Sequence, residues 1–178
     1  MNTGLLVLRL VFGLLLVGHG SQKLFGLFGG PGLDGAGGFF HSLGFRPGKP
    51  MAIVAGASEA GAGVLLVLGL LTPLASAAVI GTLVVAGSVH WAGGLWAQNS
   101  GFEMPLLYVT AAAALSFTGP GVYSLDNALG LHGLAGLGWG VTSVVVGALS
   151  GLAVVARARH ALAIDAAGKT VTPEHVSA

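Results

Sequence analysis

Cysteine is absent from the chain, and charge is nearly so. None of the 178 residues is Cys and only 7% are Asp, Glu, Lys or Arg. The missing thiols exclude disulfides, thiol redox chemistry, iron–sulfur ligation by this chain and cysteine-type zinc sites. The missing charge excludes a water-soluble fold. Soluble domains carry about 25% charged residues, and here too few exist to cover a wetted surface. Mean hydropathy is +0.88, so lipid is the solvent. Formal net charge is +1 with no basic patch, which leaves no case for nucleic acid. The N-terminus lacks the basic start of a signal peptide. Arg9 interrupts the would-be apolar core and no A-x-A site follows, so the first helix is expected to stay.

Apolar runs are what the chain has instead. A span needs about 20 mostly apolar residues. Five stretches are read as spans: Gly4–Ser21, Met51–Leu71, Leu74–Ala97, Glu103–Thr118 and Gly138–Ala156. The second and third are joined so closely at Thr72-Pro73 that they form an antiparallel hairpin. The fourth is short, which places Glu103 below the headgroup level. The expected fold is all-α: an integral membrane four-helix bundle over residues 1–127, then a linker and fifth span over 128–160. A polar, frayed tail is expected over 161–178. Between the first two spans lies a glycine-rich loop with Phe25, Phe28, Phe39, Phe40 and Phe45. Asp34 is placed there to cap a short helix that Gly44 ends, and FFHSLGF is placed at the membrane interface. Gly30-Pro-Gly32-Leu-Asp-Gly35 spells G-x-G-x-x-G, but it follows a membrane helix rather than a strand, so a dinucleotide site is rejected. Trp91, Trp96 and Trp139 fit interfacial belts.

The few basic residues set an orientation. Lys23, Arg46 and Lys49 flank the first loop, and Arg157, Arg159 and Lys169 follow the fifth span. Five spans put both groups on one face. The positive-inside rule makes that face cytoplasmic and leaves the N-terminus outside, in the plasma membrane.

Polar residues inside the spans carry the functional reading. A helix turns about 100° per residue, so Arg9, His19 and Lys23 lie on one flank of the first span. Lipid cannot solvate that flank, so other helices must supply its partners. Glu59 has Gly56 three residues before and Gly63 four after; His90 has Gly87 and Gly94 at the same offsets. Small residues there let another helix come close, which turns Glu59 and His90 into the bundle. Counting depth at about 1.5 Å per residue pairs Arg9 with Asp126 near the outer face. It gathers His19, Lys23, Glu59, His90 and Glu103 on the other side. Such a group passes protons, or hydrogen-bonds the oxygens of an apolar carbonyl ligand such as a quinone. It serves equally as plain interhelical pairing that fixes the packing. No E-x-x-H or H-x-x-x-H spacing occurs, which speaks against a di-iron site, and neither a metal nor a haem is expected.

Several of these stretches resemble the DoxX family. Arg9-Leu10-x-x-Gly13 and His19-Gly20-x-x-Lys23-Leu24-Phe25-Gly26 resemble the start of its members. So do Glu59-Ala-Gly-Ala-Gly63 with Leu68-Gly69-Leu70. The likeness continues through His90, Asn99-Ser-Gly101-Phe-Glu103-Met-Pro-Leu and Thr118-Gly-Pro-Gly-Val-Tyr-Ser-Leu-Asp126, covering about residues 5 to 127. Family members are similar four-helix membrane bundles; the fifth span and tail depart from that pattern. The resemblance implies a bacterial membrane oxidoreductase setting, since relatives include subunits of thiosulfate:quinone oxidoreductase. Others are associated with thiol and superoxide (oxidative stress) defence enzymes. The function expected from the polar cluster in that setting is a quinone-linked subunit, in which Lys23 and His19 polarise or protonate a carbonyl oxygen and Glu103 and His90 exchange protons with the cytoplasmic face. Glu59 holds the deeper part of the network. Two other classes stay open: a non-catalytic anchor for soluble redox enzymes, and a small-solute or proton transporter, which would show an inverted repeat that is not seen. The partners to expect are the bilayer, soluble oxidoreductases and other copies of the chain.

Overall fold

The computed structural model describes residues 1–170, with side chains described through Gly168. Every regular element among them is a helix: α1 (Asn2–Phe25), α2 (Gly32–Ser42), α3 (Gly48–Leu68), α4 (Thr72–Val89), α5 (Glu103–Thr118), α6 (Leu125–Ala128) and α7 (Leu137–Thr170). Four of these, α1, α3, α4 and α7, are long and apolar enough to cross a membrane. The protein is an all-α, multi-pass membrane bundle. At 16 residues, α5 is about 24 Å long, short of the 30 Å hydrocarbon core, yet it packs into the same bundle against α4 and α7.

Small residues make the bundle. The buried positions are rich in Ala, Gly and Ser, whereas Val7, Leu14, Ile53, Val64, Leu107 and Leu149 point outward. Lipid is as apolar as leucine, so burying large side chains gains little there. Close backbone approach gains dispersion contacts instead. The most extensive contact is between α1 and α3, and it is close. A methyl group added at Gly20 would lie 2.5 Å from the Gly56 carbonyl oxygen and 2.7 Å from the Ala60 methyl. One added at Gly63 would lie 2.6 Å from the Gly13 carbonyl oxygen. Pairing Gly13 with Gly63 and Gly20 with Gly56 makes the two helices antiparallel. A second such contact joins α4 and α7 in parallel. Gly147 abuts the Ala77 carbonyl and Gly151 that of Gly81, while the Ser143 hydroxyl donates to the Pro73 carbonyl at 2.9 Å.

The chain therefore runs the length of the bundle five times, four of them in helices long and apolar enough to cross a membrane, and its loops sort onto two faces. One face holds the C-terminal ends of α1, α4 and α7, the starts of α3 and α5, and α2; this is the basic face. The opposite face holds Met1, the Gly69–Leu71 turn and residues 119–136.

Three boundaries differ from expectation. The expected third span, Leu74–Ala97, ends at Val89, with His90 closing the helix. Past it, the Phe102 and Glu103 N–H groups donate to the Gly94 and Leu95 carbonyls, pulling residues 90–103 into a folded loop. Gly94 (φ 71) is thus in that loop and not on the His90 helix face. The second span ends at Leu68, because Gly69 and Leu71 both take left-handed backbone conformations. The last helix does not stop at Ala156 but continues to Thr170, a total of about 51 Å. Its overrun is held on the basic face. Arg46 donates twice to Asp165, at 3.0 and 2.5 Å, and Gly44 packs on the Ala158 carbonyl. Residues 171–178 of the expected tail lie outside the described residues. Asp34 sits in the first turn of α2 and pairs with Lys49 at 2.5 Å; Pro31 holds the cap position.

The α1/α3 contact makes a sharp stability prediction. Gly20→Val must push the two backbones apart, and overpacking of this kind costs about 1–3 kcal/mol. Gly18 has nothing within 4 Å of an added methyl, so Gly18→Ala is expected to be neutral or slightly stabilising. Unfolding in mixed micelles measures both. Equal tolerance of the two changes would contradict the close approach.

Candidate functional site

The same contact that brings Gly20 onto Gly56 carries Lys23 to Glu59. One turn beyond Gly20, the Lys23 ammonium donates to the Glu59 carboxylate at 2.6 Å. Glu59 is buried, at 4% exposure, and the Lys23 side chain keeps 24%. Helix periodicity explains the geometry. Glu59 shares its face with Gly56 and Gly63, so the face that meets α1 is also the face that carries the carboxylate. A charge in lipid is expensive unless paired, and this one is paired across the most extensive helix contact of the bundle.

Two aromatic residues extend the pair. Tyr108 of α5 is 4% exposed, and Glu59 acts on it electrostatically. Its ring meets Phe12 edge-on at 5.2 Å and the His19 imidazole edge-on at 6.0 Å. The Tyr108 hydroxyl is buried and has no hydrogen-bond partner. His19 is exposed, with Nδ1 3.2 Å from the Gln22 side-chain oxygen. Lys23, Glu59, Tyr108 and His19 thus form one group from three helices, at a seam where α1 and α5 touch only briefly.

His90 and Glu103 stand apart from this group. His90 Nδ1 lies 2.9 Å from the Ser100 carbonyl oxygen, and Glu103 accepts from the Ala97 N–H at 2.8 Å. Both bonds hold the 90–103 loop on the basic face, and no hydrogen bond, ion pair or ring contact among the described residues joins either to Glu59 or Lys23. No group of three His, Asp or Glu side chains converges among the described residues.

Arg9 and Asp126 meet on the opposite face, without a direct ion pair. Arg9 is fully buried, and its guanidinium donates to the Tyr123 carbonyl and lies on the Gly69 backbone. Asp126 acts on it through space. The Asp126 carboxylate is taken up by α4, accepting from the Leu71 N–H at 2.7 Å, the Thr72 N–H at 3.1 Å and the Thr72 hydroxyl at 2.8 Å. It caps a helix start that has no local capping side chain. Gly69 is required twice, by its positive φ of 61° and by the guanidinium on its α-carbon.

Tyr108 is the member of the group that sequence reading passes over. One signal for it exists: the chain has two tyrosines, and a phenol in mid-span needs a hydrogen-bond partner in lipid.

Comparison with known proteins now bears on this arrangement. A family model, DoxX, matches residues 4–91. Through this stretch the chain belongs to the DoxX family. The match takes in α1 to α4 and with them His19, Lys23, Glu59 and His90; Tyr108, Glu103 and Asp126 lie beyond it. No curated protein and no solved structure matches the chain.

Removing one member of a buried ion pair strands the other, typically at about 3–5 kcal/mol. With Lys23 a quarter exposed, Lys23→Met is expected near the low end, about 3 kcal/mol. The double variant Lys23→Met/Glu59→Leu is expected to recover most of that loss. A double-mutant cycle of micellar unfolding checks this, and additive losses would contradict a paired Glu59.

Proposed function

We propose that the protein is the membrane subunit of an oxidoreductase system, and that a quinone-like carrier seats its carbonyl ring at the α1/α5 seam. The observation that carries this reading is the Tyr108 hydroxyl. A buried donor left unpartnered costs about 1–3 kcal/mol, and natural structures rarely leave one so. An apolar carrier with a carbonyl oxygen would satisfy it.

A quinone would supply two-electron, two-proton redox chemistry. The chain's own groups supply binding and proton handling. Tyr108 donates to the carbonyl oxygen and fixes the ring. His19, at the exposed edge of the same ring contact, is the group placed to pass protons between Tyr108 and the basic face. Glu59 holds the negative charge that Lys23 balances, and Lys23 links the group to the basic face. His90 and Glu103 are assigned to the loop that closes that face. Without cysteine, the electrons come from a soluble partner or a separately bound cofactor. We place the basic face in the cytoplasm and the N-terminus outside the plasma membrane, since Arg46, Lys49, Arg157 and Arg159 all lie at one end of the bundle.

A second reading, a non-catalytic anchor for soluble redox or stress-defence enzymes, is favoured by the overrun of α7. Fourteen residues past Ala156 continue as helix, clasped by Arg46 and Asp165. That is a platform on the face where a soluble enzyme would dock.

Titration of purified protein with a short-chain benzoquinone tests the first reading. Saturable binding is expected, weakened about tenfold in Tyr108→Phe, the worth of one buried hydrogen bond. No saturable binding, or identical affinity in the variant, would overturn it. The anchor reading instead predicts that truncation after Ala156 abolishes co-purification of a soluble enzyme while Tyr108→Phe leaves it intact.

A further inference from the structure

A groove of about 500 Å³ opens between α4, α5 and α7 at the basic face, away from Tyr108. That volume suits one small ligand or a single chain, in the range of about 300–1,000 Å³. Its walls are apolar, with Leu83 and Val109 facing Leu152 and Val155. Trp91 stacks on Phe102 at its edge, with centroids 5.1 Å apart and planes 10° from parallel. The Ser88 hydroxyl in the wall is already committed to the Val85 carbonyl at 2.7 Å. Arg159 is the one charged residue in the lining.

The state of Arg159 decides what the groove takes. The other described cations of this face are engaged. Lys23 holds Glu59, Arg46 holds Asp165, Lys49 holds Asp34, and Arg157 donates to the Arg46 carbonyl. Arg159 has no ion pair or hydrogen bond among the described residues. Its depth follows from the parallel register of α4 and α7, which sets Ala77 beside Gly147 and Gly81 beside Gly151. Continued along the helices, that register brings Arg159 level with Val89, the last residue of α4. An unpaired guanidinium therefore stands at the headgroup level, above an apolar slot that runs into the hydrocarbon.

We propose that this groove binds one acyl chain of an anionic phospholipid, with the lipid phosphate on Arg159. Guanidinium and phosphate match in charge and in fork geometry, and the apolar walls take the chain. A carbonyl ring carrier fits less well, since the wall's one hydroxyl is already spent. The site is separate from the Tyr108 seam and does not depend on the carrier reading.

Trp91 reports on the groove directly. The full-length protein with Trp96→Phe and Trp139→Phe, reconstituted in vesicles, leaves it as the one indole. Phosphatidylglycerol brominated on its acyl chains is expected to quench Trp91 with about fivefold higher relative affinity than brominated phosphatidylcholine. That is the preference one basic residue gives for an anionic lipid. Arg159→Gln erases the preference and Arg157→Gln keeps it. Gly87→Leu puts a side chain into the groove where the nearest atoms to its β-carbon are 3.7 and 3.9 Å away, and it lowers quenching by both lipids. Equal quenching by the two lipids in the starting protein would overturn the proposal, as would a preference that survives Arg159→Gln. Displacement of the lipid by the short-chain benzoquinone would also overturn it, by making the groove a carrier site. Tyr108→Phe leaves the lipid preference intact, so the two sites fail or stand separately.

Discussion

Glu59 is a carboxylate in a place where water is scarce, and the bundle is arranged so that it is never without Lys23. Lipid offers a charge no solvation, so partner and charge must meet before the helix can rest in the membrane. The meeting is made possible by four glycines. Gly13 and Gly20 on α1 and Gly56 and Gly63 on α3 let the two backbones come close, each lying on a carbonyl of the other helix. The ion pair and the close approach therefore depend on each other. Larger residues at the glycines would separate Lys23 from Glu59, and an uncharged pair would leave the approach to dispersion alone.

The two faces do different work. On the opposite face, Arg9 and Asp126 knit the start of α1, the α3–α4 turn and the 119–126 loop into one polar knot beneath the surface. Both charges are buried, and the logic is structural: each finds backbone groups that would otherwise be left unsatisfied. On the basic face, loops, α2 and the overrun of α7 gather Lys and Arg side chains around the mouths of the bundle. The proposed proton exchange, lipid contact and enzyme docking all belong to that face.

How much of this was legible in the sequence depended on how local the cause was. The Gly56–Glu59–Gly63 face could be read because helix period alone places those three together. The same reasoning applied to His90 and Gly94 misplaces Gly94, because the helix ends one residue before His90. What ends it is a set of loop hydrogen bonds between residues far enough apart in sequence to leave no periodic trace. Counting depth put Arg9 and Asp126 at one end of the bundle, where they are. It could not show that Asp126 spends its oxygens on Leu71 and Thr72, since that depends on how a loop folds back over a helix start. The length of α7 was hidden for a similar reason: its polar last turns are stabilised by Arg46, more than a hundred residues earlier. Tyr108 was hidden by its surroundings, one hydroxyl in an apolar run.

The pairing of Lys23 with Glu59 is open to a direct distance measurement in a bilayer. The chain has three lysines, and Lys49 pairs with an aspartate rather than a glutamate. With lysine labelled with nitrogen-15 at Nζ and glutamate with carbon-13 at Cδ, solid-state NMR dipolar recoupling reads lysine–glutamate contacts selectively. The account predicts a strongly dephased glutamate signal that disappears in both Glu59→Gln and Lys23→Met. A spectrum in which no glutamate carbon senses a lysine nitrogen, or in which the contact persists in Glu59→Gln, would contradict it.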